Sequence, residues 1–457
     1  MNLTGELEKM REYFKTGETR SYTFRKQQLK NLKSVILKYE QELYTALQAD
    51  LNKSPEESWV TELGMVIAEI NAAIKSLWHW MRPERKGTNL VNLPSSSRVV
   101  KEPLGVVLVV GPWNYPFMLL ITPVVGAIAA GNCAVLKPSE FAPATDAVMK
   151  KMFTEAFSPE YILYVQGEGQ EVIPAMMNHF SFDHVFYTGS TAVGRIIYKM
   201  AAERLVPVTL ELGGKSPCVV ESDANIRVAA RRIAVTKFSN AGQMCVAPDY
   251  VLVHDSVREQ LLSALQESVR EFFGEQPETS YNYGRIINTK QFDRLQSYLS
   301  GGRIVFGGGL DREKLFIAPT VLADVDISAP VMNEEIFGPI LPVLSFSTAE
   351  EARAIINRHP DPLSFYVYTS SAANEKYWLQ AVPAGGVCIN NSSWHLTNHN
   401  LPFGGRGPSG MGHYHGRYSF DTFSHRKAVM KTPTWFDPKI KYPPFKGKLK
   451  LFKWIIR

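Results

Sequence analysis

Several short stretches of the chain carry side chains whose chemistry could be combined. In SNAGQMCVAPDYVLV, Cys245 follows the helical run RVAARRIAVTKFSN and precedes a strand-like run, so it falls on a helix-to-strand turn beside Gly242. Loops held by such elements commonly carry function. A thiol attacks only as thiolate, so it needs surroundings that lower its pKa or a base nearby. Taken alone, Cys245 is better explained as a small buried residue. Cys133, Cys218 and Cys388 lie inside strand-like runs and read as core.

Other stretches offer possible company. In PVTLELGGKSP, Glu211 interrupts an apolar strand and is followed by Gly213-Gly214. A carboxylate in apolar surroundings has a raised pKa and can serve as a general base, although an edge glutamate facing water fits equally well. In GPWNYP, Asn114 is a lone amide within an apolar stretch, either closing a turn or aimed at a developing oxyanion. The run HVFYTGSTAVGRIIYKM predicts a strand ending at Gly189 and a helix from Ser190, with Val193 and Gly194 in its first turn. Helix N-terminal amides suit a phosphate, but the run lacks the GxGxxG pattern. In NEEIFGPILPV, two acidic residues precede Ile336-Phe337-Gly338-Pro339: a carboxylate beside the aromatic ring could grip ribose hydroxyls while the ring lines a flat heterocycle, or the segment is a loop with a packed phenylalanine.

The elements that must hold these residues are legible from patterning. Over the first eighty residues, apolar positions recur at three- and four-residue spacing and predict helices. From residue 104 onward, β-branched runs alternate with helical stretches: GVVLVVG, CAVLKP, HVFYTG, PVTLELGG and SPCVVES. Continuous apolar strands separated by helices predict parallel sheets in an α/β fold. A second alternating block spans about 225–390, with strands DYVLVH and GGVCIN and the helix VREQLLSALQESVREFF. Leu104 to Leu136 holds thirty-three residues without a charge, enough to cross a bilayer. GPWNYP breaks it, so the expectation is a buried strand, a turn, a buried helix and a second strand.

At 457 residues the chain predicts two or three domains. The net charge of +6 is local: Lys439 to Arg457 holds seven basic and no acidic residues, which leaves the remainder at −1. No nucleic-acid partner is expected from such a body. Four dispersed cysteines without CxxC spacing predict neither a metal site nor a disulfide framework, and so a cytoplasmic, reducing compartment. The N-terminal MNLTGELEKMREYF predicts an amphipathic helix without a signal-peptide core.

In order and together, GPWNYP, LKPSE, TGSTAVG, LELGGK, GQMC, EEIFGP and LPFGG resemble the aldehyde dehydrogenase superfamily over about residues 50–430. HLTNHNLPFGGRGPSGMGHYHGRYSFDTFSHRKAV (395–429) is similar to its shorter, class-three branch, which includes enzymes for fatty and aromatic aldehydes. The resemblance implies a Rossmann-like cofactor domain (1–82 and 104–210), an α/β catalytic domain (211–390), and a small β oligomerisation and bridging element (83–103 and 391–435). A basic tail (436–457) follows. It also implies NAD(P)-dependent oxidation of an apolar aldehyde to the acid through a cysteine thiohemiacetal and thioester, in a homodimer. Cys245 would be the nucleophile, Glu211 the base and Asn114 an oxyanion donor. Gly189 and Ser190 would face the pyrophosphate beside Val193 and Gly194, Lys137 the adenosine ribose, and Glu335 with Phe337 the nicotinamide ribose. Glu140 near a ribose 2′-hydroxyl would repel a 2′-phosphate, which favours NAD with NADP as the alternative.

Met244 stands where many relatives of this kind carry a small polar residue, and it tilts the pocket towards apolar substrates. Tyr115, Trp394 and Phe403 are further pocket candidates. The tail KIKYPPFKGKLKLFKWIIR interleaves lysines with apolar residues. Contact with an anionic membrane surface is one expectation for it, each surface lysine contributing about 1 kcal/mol. Docking across a dimer or near the substrate entrance is the other. Competing functions are a cysteine ester hydrolase, a non-catalytic scaffold, and an acyl transfer to coenzyme A. The cofactor residues count against the first, and the retained Cys245, Glu211 and Asn114 against the second. Glu211, as the base for water, counts against the third.

Overall fold

The computed structural model describes residues 3–456. Helices make up most of residues 3–81, including Leu3–Lys15, Tyr22–Lys38, Glu40–Leu51 and Gly64–Met81. Tyr22–Lys38 and Gly64–Met81 pack against helix Met118–Ala130, and Glu40–Leu51 against helix Pro143–Ala156, and these two helices contact a six-stranded sheet. Its order is Gly410–Met411, Val208–Glu211, His184–Thr188, Val106–Val110, Cys133–Lys137, Ile162–Tyr164. All neighbours are parallel except Gly410–Met411, which runs antiparallel to Val208–Glu211.

The charge-free stretch folds as its patterning predicts. Strand Val106–Val110, helix Met118–Ala130 and strand Cys133–Lys137 are buried at every residue. A helix apolar all round belongs in a core, and at 13 residues this one is too short to span a bilayer. Among the described residues, no helix is long and apolar enough to cross a membrane.

Numbered by their order in the chain, the five parallel strands of the first sheet lie 3-2-1-4-5. The order reverses between Val106–Val110 and His184–Thr188. In open α/β sheets, ligands bind at that switch point, outside the carboxyl ends of the strands. The loop bearing Asn114 and the turn at Gly189-Ser190 leave from those two strand ends.

The second sheet has seven strands: Arg303–Phe306, Thr320–Ala323, Ile340–Phe346, Tyr250–His254, Pro217–Val220, Ser364–Tyr368, Gly386–Ile389. It is parallel except at its Arg303–Phe306 edge. It has its own apolar core, built around residues such as Val219, Leu252, Leu341 and Tyr366. The fold is thus α/β, with a Rossmann-like sheet and a second α/β sheet. A three-stranded antiparallel sheet, Glu84–Lys86, Ser96–Pro103 and Ser424–Lys431, joins distant parts of the chain, pairing Ser424 with Pro103 through to Lys431 with Ser96. Helix Leu449–Ile455 is the last element of the described chain.

Candidate active site

Glu211 ends the last parallel strand of the first sheet, and Leu212-Gly213-Gly214-Lys215-Ser216 then crosses to Pro217 in the second. The first sheet therefore presents carboxyl strand ends to the crossing. The second presents amino ends, because Cys245 and Asp249 precede Tyr250 and Glu335 precedes Ile340. A cleft of about 500 Å³ lies between them, walled by Asn114, Gly189, Ser190, Glu211, Cys245 and Glu335, and also by Phe337 and Phe403. Residues separated by up to 302 positions in the chain, Pro112 to Tyr414, thus meet at one cavity.

The turn before Cys245 is strained. Asn240 and Ala241 both have φ of 49°, and Gly242 follows at 74°. Non-glycine residues rarely adopt this region and do so where surrounding contacts hold them. A Cβ on Gly242 would stand 2.2 Å from the Gly338 carbonyl oxygen. The holding contacts are hydrogen bonds. Gln243, fully buried, donates to the carbonyls of Asn240 (3.0 Å) and Arg285 (2.8 Å) and accepts from the Ile287 N–H (3.0 Å). Asn114 donates its side-chain amide to the Gln243 carbonyl at 3.0 Å. An amide has two N–H donors, so this bond occupies one of them.

Electrostatics leave the thiol neutral. Burial pushes the Cys245 pKa up, and the carboxylates of Glu335 and Glu211 push it further. Burial also raises Glu211 well above the usual carboxylate range, and neither of its carboxyl oxygens has a hydrogen-bond partner in the structure. Unpaired buried polar groups are rare and point to strain, catalysis or an absent partner. A half-buried thiol that is not a spontaneous thiolate thus shares its cleft with a carboxyl of matching reluctance to ionise.

Glu335 sits where only glycine leaves room. A Cβ on Gly213 would lie 1.8 Å from its Oε2. Burial, with Asp249 nearby, raises the Glu335 carboxyl to about 8. Its loop hangs on the buried pair Lys215–Asp249. Lys215 Nζ reaches Asp249 Oδ2 at 2.6 Å and the carbonyls of Val331 and Glu334 at 2.8 and 2.9 Å, while Asp249 Oδ1 accepts the Ile336 N–H at 2.9 Å. Phe337 has φ of 49° and meets the Trp113 ring edge-on at 5.3 Å.

On the opposite wall, Ser190 caps helix Thr191–Ala202, its hydroxyl accepting from the Val193 N–H. The expectation that both the Gly189 and Ser190 amides face an anion needs correction. The Gly189 N–H donates to the Glu211 carbonyl at 3.0 Å, because it continues the ladder between the two strands. Glycine is needed there for another reason, since a Cβ would meet the Tyr187 hydroxyl at 2.3 Å. At Gly194 a Cβ would meet Leu212 Cδ2 at 2.6 Å, so this glycine lets the helix approach the sheet. Val193 is largely exposed beside it.

Lys137 and Glu140 stand at the carboxyl end of the neighbouring strand rather than on the walls of this cleft. Lys137 Nζ reaches Glu140 Oε2 at 3.1 Å, and Glu140 Oε1 accepts the Gly169 N–H at 3.0 Å. Burial works to raise Glu140, but backbone N–H donors and Lys137 outweigh it and hold the carboxylate low and ionised.

Of the pocket candidates, Phe403 is on the cleft wall. Tyr115 is buried behind it, its hydroxyl 3.5 Å from the Met244 sulfur. Trp394 is 59% exposed and does not line this cleft. Leu119, Leu363 and Tyr414 line the cleft without having been expected. Lys215, Asp249 and Gln243 were also missed as individual residues. The available signal was polar residues embedded in the LELGGK, GQMC and PDYVLV runs.

A family model described as the aldehyde dehydrogenase family matches residues 5–429. The 4,4'-diaponeurosporen-aldehyde dehydrogenase of Staphylococcus aureus is 45% identical over 443 residues, 96% of each chain. Aldehyde dehydrogenase family 3 member H1 of Arabidopsis thaliana is 44% identical over 461 residues, covering 100% of this chain and 94% of that one. A solved structure described as the substrate-bound state of Staphylococcus aureus AldH superimposes with a TM-score of 0.98 at 44% identity, covering 100% of both chains. An indole-3-acetaldehyde dehydrogenase in complex with NAD+ gives a TM-score of 0.85 at 28% identity, over 94% of this chain and 88% of the other.

Proposed function

The chain belongs to the aldehyde dehydrogenase family, and from its cleft we propose that it oxidises apolar aldehydes to carboxylic acids with Cys245 as covalent nucleophile. The observation carrying this reading is the meeting of Cys245, Asn114, an unpartnered Glu211 and Glu335 around one cavity.

Glu211 or a water beside it takes the thiol proton as Cys245 Sγ attacks the carbonyl carbon, forming a thiohemiacetal. The free N–H of the Asn114 amide and the Cys245 backbone N–H stabilise the oxyanion, one such donor being worth roughly 3–4 kcal/mol. A nicotinamide held beside Cys245 by Glu335 and Phe337 would supply the acceptor for the hydride this carbon must lose. Once the thiol proton has passed to solvent, Glu211 removes a proton from the water that adds to the resulting thioester and returns it to the departing thiolate, so the acid leaves with the thiol regenerated. A carboxyl whose pKa is raised by burial is a stronger base once ionised than one in water.

The residues fit a dinucleotide. The Ser190 turn stands at the sheet's switch point. Gly213 leaves room for the Glu335 carboxylate, which with Phe337 would hold the nicotinamide ribose. Lys137 and an ionised Glu140 would face the adenosine ribose, and that negative charge favours NAD over NADP.

Phe403, Leu119 and Leu363 on the wall, with Met244 behind it, support an apolar substrate. A relative named for 4,4'-diaponeurosporen-aldehyde points the same way. The reading assigns residues 1–82 and 104–210 to the cofactor and 211–390 to catalysis. It assigns 83–103 and 391–435 to contact between two copies in a cytoplasmic homodimer. Rates of NADH formation across aldehydes of increasing chain length, with NAD and then NADP, test it. Preference for short polar aldehydes would overturn the apolar assignment.

For the basic tail the reading is contact with an anionic membrane surface. Lys448, Lys450 and Lys453 stand beside Leu449 (63% exposed) and Trp454 (74% exposed), a pairing of charge and apolar surface suited to lipid headgroups.

A further inference from the structure

Lys53 and Glu62 stand apart from the thiol in sequence and off the walls of the cleft, yet both are fully buried. Lys53 Nζ meets Glu62 Oε1 at 2.6 Å. Each partner then reaches the loop that carries Asn114. Lys53 Nζ donates to the Asn114 backbone carbonyl at 3.1 Å and stands 3.8 Å over the Tyr115 ring, and Glu62 Oε2 accepts the Met118 N–H at 2.8 Å. The Asn114 carbonyl accepts a second bond, from Asn240 Nδ2 at 2.8 Å. Glu57, from the same N-terminal segment, accepts the Asn240 backbone N–H at 3.1 Å. One short segment thereby touches both the loop before helix Met118–Ala130 and the strained turn before Cys245.

The backbone supporting Glu62 is unusual. Trp59–Leu63 is a π-helical turn set between helices Pro55–Ser58 and Gly64–Met81. Such wide turns are rare inside helices and recur at functional sites. A buried ion pair is also a poor choice for stability alone, because desolvation offsets much of the attraction and apolar residues of similar volume do as well. What an ion pair supplies that an apolar pair does not is direction, here towards one carbonyl and one N–H of a single loop.

We propose that the buried Lys53–Glu62 pair is a positioning device for the oxyanion site, fixing the Asn114 peptide so that its side-chain amide stays aimed into the cleft. This rests on the reading of Asn114 as an oxyanion donor. Neither residue of the pair lines the cleft. Both act through the backbone of Asn114 and Met118.

The test compares Glu62→Gln and the paired variant Lys53→Met/Glu62→Leu, each in the wild-type and Asn114→Ala backgrounds. The paired variant removes both charges of the pair together, so it carries the test if Glu62→Gln does not fold. Turnover of an aliphatic aldehyde with NAD is measured beside the rate of Cys245 alkylation by iodoacetamide, a substitution that develops no oxyanion. In the wild-type background, kcat should fall about tenfold or more, as expected for a donor displaced by a fraction of an ångström. In the Asn114→Ala background the same changes should cost less than about twofold, and alkylation should stay within about twofold throughout. Equal losses in both backgrounds, or alkylation falling in parallel with turnover, would overturn the proposal. If Asn114→Ala alone leaves turnover unchanged, it is the oxyanion reading that fails, which the single variant reveals by itself.

Discussion

The side-chain amide of Asn114 donates to the backbone carbonyl of Gln243 at 3.0 Å, tying the loop after the strand Val106–Val110 to the turn two residues before the nucleophile. The two come from different sheets, so this bond sets the distance between donor and thiol. Asn114→Ala should lower kcat/KM by about 10²–10³, with little change in cofactor affinity, as for loss of one oxyanion donor. Steady-state kinetics beside NAD titration by fluorescence check this. A loss confined to KM would mean that Asn114 serves binding alone.

Glu211 is buried, unpartnered and raised in pKa by that burial. Its folded pKa lies above the ordinary carboxylate value. The stability it permits is therefore fully present below that ordinary value and is lost as pH rises towards the folded one. Glu211→Gln removes the penalty, so its melting temperature should exceed that of the wild type by more at pH 8 than at pH 5. The same variant should release acid slowly and accumulate acyl-enzyme, visible as a burst of NADH followed by a slow phase. A steady rate equal to wild type would remove Glu211 from the hydrolytic step.

Gly213→Ala would place a Cβ 1.8 Å from Glu335 Oε2 and displace that carboxylate. Cofactor affinity should fall by about tenfold, equivalent to 1.4 kcal/mol, while the alkylation rate of Cys245 changes little. Isothermal titration with NAD gives the first quantity.

Lys215→Met leaves Asp249 buried without its cation and frees the carbonyls of Val331 and Glu334. Breaking a buried pair on one side costs about 3–5 kcal/mol, and denaturant unfolding should show a loss of that size.

Deletion of residues 439–457 should abolish binding to vesicles containing phosphatidylserine and leave turnover of a water-soluble aldehyde intact. Unchanged vesicle sedimentation would contradict membrane contact by the tail.

Strands such as Val106–Val110 and Cys133–Lys137 were legible because burial on both faces leaves a continuous apolar run. Cys245, Glu211 and Asn114 were each ambiguous alone, since burial explains a cysteine or an amide as well as chemistry does. Only their order within one set of motifs separated the readings. Trp394 shows the limit of that approach: an aromatic residue near LPFGG reads as a pocket wall, yet it is exposed and does not line the cleft. The Lys53–Glu62 pair was not visible in the chain. Its residues look like ordinary surface charges until the π-helical turn and the Asn114 loop enclose them. The Gly189 N–H likewise reads as a free helix-terminal donor until strand pairing takes it.

The most direct test of covalent catalysis is NADH absorbance with a long-chain aliphatic aldehyde for wild type and Cys245→Ala, each confirmed to bind NAD. No NADH above background is expected from the alanine variant, whereas reduction of NAD at the wild-type rate would contradict Cys245 as the nucleophile.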